Sequence, residues 1–269
     1  METLPRHSAP VIVVDNGSDD GGPDAIATAF PQVTVVRLGE NRGAAARNAG
    51  AALARTPYVA FADDDSFWAP GSLRQAAKLL GTHRRASLLA ARVLVGPEAR
   101  VDPVSAAMAA APLGAPADGP GPFVLGFLAC AVVVRRDAFL AAGGFHPKLH
   151  MYGEEALLAM DMAAAGWHLN YAPELIVRHL PLPAGRNNRA RRRMETRNRL
   201  LTALLRRPPG VVARTAVSAT RANPRGVADA ARLLPWALRS RRALPPDVES
   251  ALVRLASPDQ AETGNPGRR

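Results

Sequence analysis

Three consecutive aspartates, Asp63, Asp64 and Asp65, follow the apolar run Tyr58 to Ala62. Carboxylates crowded at the end of a buried strand repel one another unless they share a cation. Their hard oxygens suit Mg²⁺ or Mn²⁺ holding a substrate diphosphate, and the carboxyl ends of strands in open α/β sheets are where ligands settle. A solvated acidic loop, with Asp63 capping a helix, is the plainer alternative. Upstream, Val13-Val14-Asp15-Asn16-Gly17-Ser18 carries another carboxylate into a turn. Asp15 can stabilise that turn or accept hydrogen bonds from a nucleobase or ribose. In Asn41-Arg42-Gly43-Ala44-Ala45-Ala46-Arg47-Asn48, small alanines allow a helix to pack closely on a sheet, and Arg47 could reach a diphosphate.

The elements that must position these groups alternate. Strands are expected at Pro10–Val14, Val33–Leu38, Tyr58–Ala62 and Ser87–Val95, with helices at Pro23–Phe30, Gly43–Arg55 and Pro70–Leu80. Such alternation argues a mostly parallel sheet flanked by helices. Six prolines between 96 and 122 predict an irregular, mobile connection. Beyond it come an ordered segment at Leu125–Arg135, helices at Asp137–Ala142 and Glu154–Ala165, and two short strands at Trp167–Tyr171 and Leu175–Val177. Arginine-rich helical segments follow Pro181, and Gln260–Arg269 reads as frayed.

The chain has 269 residues and is 48% hydrophobic, enough for a substantial core, and no stretch approaches the roughly 20 apolar residues of a membrane span. The N-terminus shows no basic region followed by an apolar run, so a cytoplasmic location is expected. The single cysteine, Cys130, excludes an internal disulfide, and its apolar flanks suggest a buried, inert thiol. Charge divides the chain. Residues 1–180 carry 15 Lys+Arg against 17 Asp+Glu, net −2, whereas residues 181–269 carry 19 against 6, net +13.

In their order and spacing these segments resemble the family 2 glycosyltransferases, which use nucleotide sugars and have the GT-A fold. The resemblance runs from about Pro10 to His179. It rests on residues 13–18, 41–48 and 63–65 already quoted, on Arg135 to Phe145, on Gly153-Glu154-Glu155 and on Pro173 to His179. It implies a domain at 1–180 with a basic helical extension at 181–269. It also implies that Asp15, Asn16, Asn41, Arg47, Asp63 and Asp64 serve the donor, with Asp63 towards the ribose. Asp65 would hold the metal, Mg²⁺ or Mn²⁺, with His179 as a further ligand. Gly143-Gly144-Phe145 would begin the loop on the acceptor side. Glu154 and Glu155 match the family's Glu-Asp pair, whose second member resembles the catalytic base of inverting members. Acidic residues in a helix's first turn also complement its macrodipole, and both roles are compatible.

Three departures accompany the match. Family members usually open with a strand and helix before the Val-Val-Asp-Asn-Gly-Ser segment, whereas this chain begins nine residues before Pro10. Glu155 stands where aspartate is usual, and Ala156-Leu157-Leu158 stands where another acid is common. Asp161 reads as structural. The arginines at 186, 189, 191, 192, 193, 197 and 199, among Met194, Leu200, Leu201, Leu204 and Leu205, suit an anionic lipid surface, and a peripheral membrane contact through 186–207 would accord with a lipid-linked acceptor. Arg197-Asn198 also resembles a pair found after the catalytic domain of family members. Two rival readings remain: a non-catalytic nucleotide-sugar binding module, and a nucleic-acid binder acting through the tail. The second lacks a stacking platform, since Trp236 is the sole aromatic residue after Tyr171.

Overall fold

The computed structural model describes residues 9–181 and 188–256. Arg186 and the tail from residue 257 onward, including the segment expected to fray, lie outside the described residues. β1 (Ile12–Asp15), α1 (Gly22–Ala29), β2 (Thr34–Arg37), α2 (Ala46–Leu53), β3 (Tyr58–Ala60), β4 (Ser66–Trp68), α3 (Ser72–Thr82) and β5 (Ala86–Val95) come first. Then follow β6 (Arg100–Val101), α4 (Pro103–Ala109), β7 (Val132–Arg135), α5 (Arg136–Ala141), α6 (Glu154–Ala164) and β8 (His168–His179). The extension holds α7 (Asn188–Arg206), α8 (Pro209–Ala222), α9 (Pro224–Arg232), α10 (Leu234–Arg239) and α11 (Pro246–Ala256).

β1 and β2 pair in parallel as a small sheet. The main sheet runs β3-β7-β5-β8-β4, with β6 on β5. Here the expectation of a mostly parallel sheet is corrected. Only the β5–β8 pairing of this sheet is parallel, while β3–β7, β5–β7, β5–β6 and β4–β8 are antiparallel. The reason is physical: β5 and β7 are buried on both faces, and such strands read as continuous apolar runs whatever their direction. One face packs Leu88, Ala90, Val132 and Val134 with Phe139, Phe145 and Leu158, and the other packs Leu89, Ala91 and Val133 with Leu80 and Trp68.

Two further expectations change. The proline-rich connection contains β6 and α4, because Asp102 caps the helix through Val104 N–H at 2.7 Å and Pro103 occupies its first turn, where a missing N–H costs nothing. The two short strands near the end of the domain are one strand, β8. Its register against β5 jumps between Ala172 and Ile176, and this irregularity accommodates Pro173, which cannot donate to a ladder. Finally, a third core joins Leu149 and Leu157 to Leu200, Leu201, Leu205, Ala230 and Ala237, so the apolar stripe of α7 faces protein.

Candidate active site

The aspartate turn owes its shape to a strand that sequence periodicity does not reveal. β4 pairs with β8 so that Ser66 lies opposite His179, and Leu180 N–H donates to the Asp65 carbonyl at 2.8 Å. Ser66 closes the turn from the other side. Asp63 N–H donates to Ser66 Oγ at 2.7 Å, and Ser66 N–H returns a bond to the Asp63 carbonyl at 3.1 Å. Trp68 Nε1 donates to the Phe61 carbonyl at 3.0 Å and fixes the base of the turn.

Each outer aspartate then meets a cation or a metal-type ligand. Asp63 forms an ion pair with Arg47 of α2, and Asp65 Oδ2 lies 3.3 Å from His179 Nε2. Asp64 between them is exposed. Two adjacent ligands of an octahedral Mg²⁺ with bonds of about 2.1 Å sit about 3.0 Å apart, so the Asp65–His179 separation fits a shared hard cation. Among the described residues no group of three or more His, Cys, Asp and Glu side chains could hold a metal ion. Any ion would therefore take its remaining ligands from substrate and water, the usual habit of Mg²⁺.

The turns at residues 15–18 and 41–43 are stitched to each other. Asn16 Oδ1 accepts from Arg42 N–H at 2.7 Å while its amide donates to Asn41 Oδ1 and the Gly43 carbonyl, both at 3.2 Å. Asn41 Oδ1 also accepts from Gly43 N–H at 2.9 Å. Asp15 is buried and accepts from Ser18 N–H at 2.9 Å, and the amide and hydroxyl of Ser18 hold its carboxyl below the usual range. The turn-forming role of Asp15 is thus present.

Glu154 and Glu155 open α6, where the helix N-terminus favours negative charge. Burial works against it. Glu154 is 3% exposed, its Oε2 has no hydrogen-bond partner among the described residues, and loss of hydration together with the neighbouring Glu155 pushes its carboxyl up to about 7. Glu155 is half-buried, accepts weakly from Gly153 N–H at 3.3 Å, and is also raised, chiefly by desolvation. Arg47 opposes both shifts, and the charge on Asp63 adds to that of Glu155. The aspartate turn and the glutamate pair therefore lie within one electrostatic neighbourhood, with Arg47 common to both. Cys130 is buried nearby and pushed up to about 12 by desolvation, which makes it the inert thiol expected.

Two asparagines shape this neighbourhood without any periodic signal. Asn48 exchanges bonds with the backbone of Phe145, donating at 2.8 Å and accepting at 2.9 Å. A side chain at Gly144, whose φ is +62°, would meet Asn48 Oδ1 at 2.4 Å, which is why that turn needs glycine. From α7, Asn198 Nδ2 reaches the carbonyls of Leu149, Met151 and Tyr152, each at 2.8 Å, just ahead of Glu154.

A mixed sheet flanked by helices, with a carboxylate turn leading into its edge strand β4, is the architecture of the GT-A fold. The solved mannosyltransferase PcManGT from Pyrobaculum calidifontis, in complex with GDP-Man and Mn²⁺, aligns over 97% of this chain and 72% of its own, with TM-score 0.56 and 22% identity. S. aureus TarS 1-349 in complex with UDP aligns over 98% and 87%, with TM-score 0.52 and 16% identity. In sequence, the profile of Glycosyl transferase family 2 matches residues 9–139. The N-acetylglucosaminyl-diphospho-decaprenol L-rhamnosyltransferase of Mycobacterium tuberculosis is 28% identical over 207 residues, 63% of this chain and 66% of that protein. The match thus spans just under two thirds of the relative's length. The succinoglycan biosynthesis protein ExoU of Rhizobium meliloti is 40% identical over 72 residues, 25% of this chain and 21% of its own. Over residues 9–139 the chain is thus similar to glycosyltransferase family 2.

Proposed function

We propose that this protein transfers a sugar from a nucleoside diphosphate sugar to an acceptor hydroxyl, with inversion at the anomeric carbon. The observation that carries this reading is the sharing of Arg47 between a turn of aspartates and a pair of glutamates whose carboxyls are raised by burial. In this reading Asp15, Asn16 and Asn41 line the nucleoside side, Asp63 faces the ribose, Arg47 reaches the diphosphate, and Asp64 serves the donor between Asp63 and the metal ligand Asp65. Asp65 and His179 would hold Mg²⁺ or Mn²⁺, which supplies charge neutralisation for the departing diphosphate. Glu155, the more exposed of the pair, takes the proton from the acceptor hydroxyl as the oxygen attacks the anomeric carbon. The sugar–diphosphate C–O bond breaks on the opposite face, and its electron pair leaves with the diphosphate. Glu154 lies buried beside Glu155 in the first turn of α6, where burial and the neighbouring carboxylate favour its neutral form.

The acceptor class we infer is a lipid-linked saccharide, the kind named for the mycobacterial relative. No helix among the described residues is long and apolar enough to cross a membrane. A peripheral contact through 186–207 would then fall to exposed arginines such as Arg189, Arg192 and Arg199, because Leu200, Leu201 and Leu205 face inward. Sedimentation with anionic but not neutral vesicles, abolished by salt, is the expected result. Equal sedimentation with both would contradict that contact. The activity itself is tested with a panel of UDP-, GDP- and dTDP-linked sugars, titrated with and without Mn²⁺ and then assayed for turnover. Metal-strengthened binding followed by sugar release is expected. Binding without turnover would favour a non-catalytic sugar-nucleotide module.

A further inference from the structure

The backbone before Glu154 is unusual: His150, Tyr152 and Gly153 all have positive φ, at 64°, 69° and 97°. Side-chain-bearing residues rarely occupy that region, so something must hold them there. Asn198 is fully buried and does so from the extension. Its amide has two N–H groups for the three carbonyls of Leu149, Met151 and Tyr152, so one hydrogen is shared. Its Oδ1 is occupied by Arg197 Nε at 2.9 Å, which fixes which way the amide faces, and Arg197 Nη2 adds a bond to the Leu149 carbonyl at 2.7 Å.

The same loop reaches the donor side. The His150 carbonyl accepts from Ala44 N–H at 2.7 Å, and a Cβ at Gly43 would sit 2.2 Å from that oxygen. The turn that begins there runs directly into α2, which carries Arg47. One loop therefore abuts the start of α2 at its His150 end and the start of α6 at its Gly153 end.

We infer that Asn198 is a positioning residue for the transfer reaction: by gripping the carbonyls of residues 149–152 it sets the glutamate pair against Arg47, so the basic extension completes the active site. The inference rests on the glycosyl-transfer reading above. Asn198 itself bonds none of Asp15, Asn16 and Asn41, so its loss is expected to misplace the base more than it weakens the donor.

The test compares Asn198→Ala and Asn198→Asp with Leu201→Ala, which damages the third core, Leu149 included, from the same helix without removing any hydrogen bond to the loop. Asn198→Asp keeps the volume and the Arg197 contact but turns an oxygen towards three carbonyls, and it carries the test if Asn198→Ala does not fold. With the donor selected from the sugar-nucleotide panel, both Asn198 variants are expected to lower kcat at least tenfold while KM for the donor stays within about threefold. Leu201→Ala should keep kcat per folded molecule. Equal kcat loss in Leu201→Ala at matched stability, or unchanged kcat in both Asn198 variants, would overturn the inference. Amide hydrogen exchange provides a readout free of turnover. The Ala44 N–H should exchange at least tenfold faster in the Asn198 variants once global stability is accounted for, and at the wild-type rate in Leu201→Ala. If the wild-type protein turns over no donor, the transfer reading fails, and unchanged protection of Ala44 would by itself overturn the grip.

Discussion

The site holds two carboxylate groups of contrasting construction. The aspartate turn is open, hydrogen-bonded along its backbone and partnered by Arg47 and His179. The glutamate pair sits at a helix start, with one member almost wholly buried and one of its oxygens without a hydrogen-bond partner among the described residues. In the proposed mechanism the same functional group is thereby divided into a charge that binds and a proton that moves. Environment accounts for the division, since desolvation favours the neutral acid while adjacent cations favour the anion.

The largest expected effect comes from removing the proton acceptor. Glu155→Gln should lower turnover by about 10²-fold or more, the size of a lost general base. Unchanged turnover, measured as nucleotide release, would remove Glu155 from the chemistry, whereas an equal loss in Glu154→Gln alone would move the base by one residue.

Burial of Glu154 makes a prediction about stability. Its carboxyl titrates near 7 in the folded chain against a reference of 4.5. The folded state therefore holds the proton more tightly, and this contribution to stability, full below about pH 4.5, is lost as pH rises towards 7. Glu154→Gln should lessen the decline, leaving the part due to Glu155, and exceed wild type at pH 8 by up to about 3 kcal/mol. Parallel denaturation curves across pH 5–8 would contradict the buried-acid assignment.

Asp161, two turns further along α6, is the contrast within one helix. Both its oxygens bond the buried Arg206 guanidinium, at 2.5 and 2.8 Å. Asp161→Ala leaves that charge unpaired and should cost about 2–3 kcal/mol of stability, with turnover per folded molecule unchanged. A larger loss of turnover than of stability would mean that α6 carries more than structural acids there. The smallest expected effect belongs to the open turn. Asp65→Ala should remove the strengthening of nucleoside diphosphate binding by Mn²⁺, at least about tenfold or 1.4 kcal/mol. A metal response that survives the substitution would place the ion elsewhere.

Much of this site was legible in the sequence because its residues are polar in places where the pattern calls for apolar ones. Asp15, the aspartate run and the glutamate pair interrupt strands or open helices, and their order resembles one family. Strand direction was not legible, because a strand covered on both faces carries no mark of its neighbour's sense. β4 escaped notice since Ser66-Phe67-Trp68 is too short to alternate, although its aromatic pair was the available signal. Asn198 escaped notice as a loop anchor because it lies 46 to 49 residues from the backbone it grips. The arginines of the extension read as a surface for anions, yet Arg206 and Arg207 serve internal ion pairs with Asp161 and Glu249. Composition reports charge but not where it points.

The division of labour is tested most directly by titrating the Mn²⁺-loaded Glu155→Gln variant with the nucleoside diphosphate that binds wild type best, and comparing its affinity with that of Asp65→Ala. Wild-type affinity within about threefold for Glu155→Gln, beside weakened binding for Asp65→Ala, is the result expected of one cluster that holds the donor and another that takes the proton. Equal weakening in both variants would contradict it, because the two clusters would then serve a single binding site.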